Sequence, residues 1–227
     1  MSVAGSASMN VEGYSGEDMN AGSGFSMGNQ LTFSGSGELD NGMTVSLSFV
    51  LDQGDDTAIA TAPFDSHSVK VSSDTLGTLT LAGEGGSSAS TSIDGSAAGD
   101  IWDQFDDEGG LEPSGVGSGD NMFMYTTPSL MDGLTLKASF LPSRSGKDSA
   151  LGYSASYTGV EGLSFSYAET DVETGVAGTS GTNTVYSVSY AYGPVTVAYS
   201  NSEEDPATTS ANGESDSVAV TYTVSCL

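Results

Sequence analysis

Apolar residues recur at every second position along stretch after stretch of this chain, and no other feature restricts its fold as strongly. In "NGMTVSLSFVLDQ", Asn41 to Gln53, the residues Met43, Val45, Leu47, Phe49 and Leu51 fall on one face of an extended strand. Thr44, Ser46 and Ser48 fall on the other. A period of two reads as a β-strand with one covered face, whereas a helix needs a period near 3.6. The second face is the unusual one, because it is rich in hydroxyls and carries no charge. Strands that face bulk water ordinarily bear Lys, Glu or Arg there, partly to discourage edge pairing.

The same unit repeats. "GMTVSLSF" starts at Gly42, "GTLTLAG" at Gly77, "GLTLKASF" at Gly133, "GLSFSYAE" at Gly162 and "GPVTVAYS" at Gly193. Each is a glycine-bearing tight turn followed by an alternating strand, and another alternating segment precedes each turn. With Val3–Tyr14 and Ser217–Val224 added, about twelve hairpin-connected strands are predicted. Their connections alternate in length. Short glycine turns are separated by longer polar loops, about Ser15–Gly24, Asp52–Phe64, Glu84–Gly119, Ser143–Lys147, Asp171–Thr182 and Asn201–Ser215. Short turns at one end and long loops at the other, around alternating strands, are the pattern of outer-membrane barrels.

The faces agree with that reading. One face carries Leu134, Leu136, Ala138 and Phe140, then Leu163, Phe165 and Tyr167, then Val195, Val197 and Tyr199, then Val218, Val220 and Tyr222. The intervening positions are mostly Ser, Thr and Ala, suited to a wet lumen. Tyr14, Phe49, Phe140, Tyr167, Tyr192, Tyr199 and Tyr222 are expected toward strand ends, where an interfacial girdle places aromatics. In lipid every strand edge must be paired, so such a barrel closes on itself or is completed by further chain.

Charge excludes other classes. The chain has 30 acidic residues against 4 basic ones, a formal net charge of −26. Nucleic acid and anionic headgroups both require Lys and Arg, so nucleic-acid binding is set aside. Cys226 is the single cysteine, which rules out an intrachain disulfide and a cysteine metal site. His67 is the single histidine, which leaves no His-based metal cluster or acid–base pair and no support for catalysis; parity puts it on the outward face. The start, "MSVAGSASMN", has neither a basic beginning nor a continuous apolar core. That fits a cytosolic protein, or equally a mature or truncated form of an exported one.

On the segments "LTFSGSGELDNGMTVSLSF", "HSVKVSSDTLGTLTLAGE" and "DNMFMYTTPSLMDGLTLKASF", the chain resembles the Gram-negative general porins, most of all those of α-proteobacteria. The resemblance implies an all-β, up-and-down antiparallel transmembrane barrel in the bacterial outer membrane, with sixteen strands and a homotrimeric assembly. It also implies a third external loop folded inward to narrow the pore. The longest loop here, 84–119, is the third. About four strands of the family pattern are lacking, and "TVSCL" ends on Leu227 where these porins tend to end on an aromatic. The expectation is one domain over 1–227, the first three-quarters of a porin; the alternative is a smaller barrel that closes alone.

The third loop holds Asp94, Asp100, Asp103, Asp106, Asp107, Glu108 and Glu112 with no basic residue. Folded into a lumen, they form an acidic constriction that attracts cations. Strand parity makes Lys70 and Lys137 the wall cations, while Arg144 and Lys147 belong to the fourth loop. Trp102 and Phe105 either anchor the loop against the inner wall or form one side of a solute track. Asp100, Asp103, Asp106 and Asp107 have the residue type for calcium but not the EF-hand spacing, so a bound calcium and a diffusely solvated acidic loop both stand; no other cofactor is expected. The function expected is a passive, cation-preferring channel for ions and small hydrophilic solutes, with outer-membrane lipid as its surroundings. The competing class is a secreted or halophilic soluble β-sandwich or adhesin-like binding protein, favoured by the acidity and the absent signal peptide.

Overall fold

The structure, a computed structural model, describes residues 1–14, 22–52, 66–93, 118–142, 149–173, 180–205 and 213–223. For residues 10, 12–14, 22–26 and 52 only the backbone is described. Twelve strands form: β1 (Ser2–Tyr14), β2 (Gly22–Glu38), β3 (Thr44–Asp52), β4 (Ser66–Ser73), β5 (Gly77–Glu84) and β6 (Met122–Thr126). They continue as β7 (Leu134–Leu141), β8 (Ser149–Val160), β9 (Leu163–Glu173), β10 (Ser180–Tyr192), β11 (Val195–Asp205) and β12 (Gly213–Tyr222). A 3₁₀ turn, Ser90–Ser92, follows β5. The strands make one sheet whose spatial order repeats the chain order, β1 to β12. Each strand is antiparallel to the next, and β1 and β12 are the two edges among the described residues.

The alternation predicted both the strands and their faces. Register sets Phe33 opposite Phe49, Val45 opposite Val71, Leu79 opposite Tyr125, Phe123 opposite Phe140 and Phe165 opposite Val188. This apolar face is exposed: Val3, Met9, Leu47, Phe140, Phe165, Tyr190, Val197, Val218 and Val220 all stand open. The buried residues lie elsewhere. Among the described residues, Ala89, Ile93, Met122, Ala150, Ala168 and Val185 are the buried apolar side chains, and Ser139, Ser154, Thr170 and Asn183 are buried as well. A contiguous exposed apolar sheet face is far larger than soluble monomers display. The architecture is therefore polar inside and apolar outside, and a single sheet of this kind is not a sandwich, which packs two.

The turns follow the glycines. Gly42, Gly77, Gly133, Gly162 and Gly193 all have positive φ, between 59° and 82°, in the region that side chains with a Cβ disfavour. At Gly162 the space is closed as well, since a Cβ there would run into the Ala191 carbonyl, whereas around Gly42 it would meet nothing.

Two expectations need correction. Asp171–Thr182 and Asn201–Ser215 are loops by pattern, yet β9 runs to Glu173, β10 begins at Ser180, β11 runs to Asp205 and β12 begins at Gly213. The apolar alternation stops there, but the ladder is carried on by polar cross-strand pairs. Thr182 Oγ1 donates to Asp171 at 3.1 Å, and Asn201 Nδ2 donates to Glu214 and Asp216 at 3.3 and 3.1 Å. Tyr167 and Tyr199 consequently mark the end of the apolar band, not the end of a strand. Above them the outward face turns acidic, with Glu169, Asp171, Glu203, Glu214 and Asp216. Tyr167 Oη donates to Glu169 at 2.7 Å and Tyr199 Oη to Asp216 at 2.5 Å, so the phenols join the two zones.

Candidate functional site

The second face is a grid of small polar side chains. One register row reads Ser36, Ser46, Lys70, Thr80, Met124, Ser139, Gly152, Thr170, Asn183, Glu204 across β2 to β11. The next row toward the short turns reads Glu38, Thr44, Ser72, Thr78, Thr126, Lys137, Ser154, Ala168, Val185, Ser202. Both predicted wall lysines are on this face, in adjacent rows. Neither is in an ion pair within 4.0 Å among the described residues; the pair found there is His67 with Glu84 at 3.7 Å. His67 is on the outward face, stacked on Phe49 with ring centroids 6.2 Å apart and an interplanar angle of 10°.

The chain after β5 folds onto this grid. Its two ends are joined first: the Gly119 N–H donates to the Gly86 carbonyl at 3.1 Å, and the Ser88 N–H to Ser118 Oγ at 2.8 Å. The segment leaving β5 then lands on the wall of β7, β8 and β9. The Ala89 N–H donates to Ser139 Oγ at 2.9 Å, and Thr170 Oγ1 donates to Ser90 Oγ at 2.8 Å. Ser88 and Ser90 share a hydroxyl contact of 2.9 Å, and Ser92 Oγ donates to the Ala89 carbonyl at 2.6 Å. Ile93 completes the foot by packing with Ala168 and Val185.

Small residues make the approach possible. A Cβ on Gly152 would sit 2.7 Å from Ser139 Oγ and 2.8 Å from Thr170 Oγ1, so a larger residue there would displace the two hydroxyls that hold the loop foot. The Asn183 amide is buried beside it, and neither its oxygen nor its nitrogen has a partner among the described residues.

Asp94, Asp100, Asp103, Asp106, Asp107, Glu108 and Glu112 lie outside the described residues, as do Trp102, Phe105, Arg144 and Lys147. The candidate calcium ligands are among them. Among the described residues no cluster of three or more His, Cys, Asp or Glu side chains is arranged to hold a metal ion. Pattern reading did not find the foot itself. "GGSSASTS", Gly85 to Ser92, is unremarkable as loop composition; its signal was the run of hydroxyls immediately before the acids, facing hydroxyls on three strands.

The sequence model of the Gram-negative porins matches residues 1–226. The chain belongs to the Gram-negative porin family. No curated protein sequence matches it. Among solved structures it is similar to the anion-selective porin from Comamonas acidovorans, with 15% identity and a TM-score of 0.59 over 96% of this chain and 73% of that one. It is also similar to OmpT of Vibrio cholerae, an outer membrane protein in its trimer form, with 14% identity and a TM-score of 0.61 over 98% and 74%. A mutant of the Rh. blastica porin gives 14% and 0.51 over 99% and 91%. Identities this low establish the shared porin-barrel fold. With the family, that fold makes this an outer-membrane β-barrel protein whose open apolar face is the face turned to lipid.

Proposed function

We propose that this porin is a passive, water-filled channel that lets ions and small hydrophilic solutes cross the outer membrane and prefers cations. One observation carries the reading: the hydroxyl face receives a loop from the same chain while the apolar face stays open. Serine and threonine hydroxyls both donate and accept hydrogen bonds, so a wall of them can exchange partners with a passing hydration shell. A segment folded against such a wall narrows the passage without closing it. No step in this transport makes or breaks a covalent bond, and the proposal includes no catalytic role.

The preference for cations is supported by charge. Thirty acids stand against four bases, and the acids between Asp94 and Glu112 continue directly from the loop foot. Carboxylates in a low-dielectric passage concentrate their field on the permeating ion. Lys70 and Lys137 oppose them from the wall with two charges. The anion-selective relative shares the fold at 15% identity, too remote to carry its selectivity across. Assembly as a trimer is part of the proposal and is supported by the trimer form of the Vibrio cholerae relative.

Planar-bilayer recording tests the function. Discrete conductance steps are expected, and under a potassium chloride gradient the zero-current potential should take the sign of potassium permeation. Chloride permeation dominating would overturn the selectivity. Absence of any conductance from correctly folded protein would overturn the channel.

A further inference from the structure

An ion pair stands where the chain leaves β5 for the loop foot, and a β-bulge builds it. Between β4 and β5, Ser68 pairs with Ala82 but His67 pairs with Glu84, so Gly83 is the extra residue. A bulge re-aims the side chains beside it. Here it brings Glu84 level with His67, with Oε2 at 3.7 Å from Nδ1. A Cβ on Gly83 would run into the imidazole, so the ring lies over that glycine. Phe49 of β3 stacks beside it, with centroids 6.2 Å apart. The Gly83 backbone and Phe49 together set the position of the ring.

Glu84 is the last residue of β5, and the residues after it are the root of the loop. Gly85 turns with a φ of 67°, and its N–H donates to Asp120 at 3.4 Å. The Asn121 N–H donates to the Gly83 carbonyl at 3.2 Å, and the Gly119 N–H to the Gly86 carbonyl at 3.1 Å. The ion pair thus ties β4 to the point from which Ser88, Ala89 and Ser90 are carried to the wall. Among the described residues, two other charged side chains stand near it. Lys70 of β4 borders the same hollow of about 240 Å³ as His67 and Glu84, and Asp120 is reached through Gly85.

His67 is the one histidine of the chain. Histidine ordinarily changes charge between roughly pH 5 and 8, whereas carboxylates titrate below that range and lysine above it. A protonated imidazole is attracted to ionised Glu84. A neutral one carries no charge, and 3.7 Å is too long for a hydrogen bond to replace the attraction. The added attraction is therefore present while the imidazole holds its proton, is lost as pH rises, and vanishes in strong acid once Glu84 is itself neutral. We infer that His67 and Glu84 form a proton-controlled tie at the root of the loop that lands on the channel wall, firm when the imidazole is protonated and loose when it is not. The inference rests on the proposal that this loop narrows a water-filled passage. It adds that protons set how firmly the loop is held.

Amide hydrogen exchange of the protein folded in detergent micelles reads the tie directly. After correction for the intrinsic pH dependence of exchange, the Gly119 and Ala89 amides should be about two- to fivefold better protected at about pH 5.5 than at about pH 7.5, in keeping with a partly exposed ion pair. His67→Gln should erase that difference, and His67→Arg should keep the higher protection at both values. Glu84→Gln keeps the imidazole and should also erase the difference, which decides the matter if His67→Gln does not fold. Equal protection at both values in the native protein overturns the tie. So does a difference that survives in His67→Gln, the result expected if carboxylates alone respond to pH. In bilayers, brief current fluctuations should be rarer at the lower pH in native channels and indifferent to pH in His67→Gln. Native fluctuations that ignore pH overturn the control of the passage. A protein that conducts nothing refutes the channel reading, while hydrogen exchange still decides the tie.

Discussion

The backbone N–H of Ala89 donates to the Ser139 hydroxyl at 2.9 Å, joining residues fifty apart in the chain. Ala89 is fully buried and Ser139 nearly so, so water cannot replace that acceptor cheaply. Ser139→Ala leaves the N–H unpaired at a local cost of about 1–3 kcal/mol. The loop foot should loosen while the sheet stays intact. Limited proteolysis within 94–117 should speed up, with the heat stability of the folded barrel on gels unchanged. An unaltered cleavage rate would show that the bond does not hold the loop.

Thr170 and Ser90 form the second fastening, hydroxyl to hydroxyl at 2.8 Å. Thr170→Val keeps the shape and deletes the donor, which should weaken the foot by roughly 0.5–1.5 kcal/mol. Because both partners are neutral, the weakening should be the same at low and high salt. A double-mutant cycle with Ser90→Ala checks this: coupling that fades with added salt would mean that charges hold the loop instead.

Adjacent residues on β3 test the face assignment. Leu47→Lys puts a charge on the open apolar face and should cost about 2–4 kcal/mol if that position lies near the bilayer midplane. Ser46→Lys puts the same charge on the hydroxyl face and should fold normally, moving the zero-current potential toward chloride. Urea titration of protein refolded in lipid vesicles measures the first, bilayer recording the second. Equal destabilisation by both would contradict the two-faced sheet.

Two turn glycines separate backbone strain from collision. Gly42 and Gly162 have similar φ, 81° and 76°, but a Cβ meets open space at the first and the Ala191 carbonyl at the second. Gly42→Ala should cost about 1–2 kcal/mol, from the left-handed conformation alone. Gly162→Ala should cost clearly more, because the turn itself must shift. Urea midpoints rank the two variants, and the reverse order would refute the argument.

Most of the fold was legible because the alternation from Met43 to Leu51 is a direct image of a pleated strand, and the five turn glycines are where the chain reverses. Parity put Lys70 and Lys137 on the hydroxyl face for the same reason. The extensions at Asp171–Glu173 and Asn201–Asp205 were not legible, because polar side chains replace the apolar ones on the outward face there, so the apolar alternation ends while the backbone ladder continues. The loop foot was hidden for a different reason. Ser88, Ser90, Ser139 and Thr170 are common residue types, and their meaning lies in pairing across long sequence separations. The acids from Asp94 to Glu112 were conspicuous by composition, but composition does not fix where a loop travels.

The order β1 to β12 in space is also the order along the chain. Among the described residues only the two edges, β1 and β12, have no neighbour on one side. Every ladder there joins strands consecutive in the chain and can close as soon as its own hairpin or loop does, surrendering entropy in short segments. Such an architecture grows like a fence. A hairpin inserted between two neighbours widens the circumference and asks no other pair to change, so bore can evolve independently of the pairing code that builds the wall.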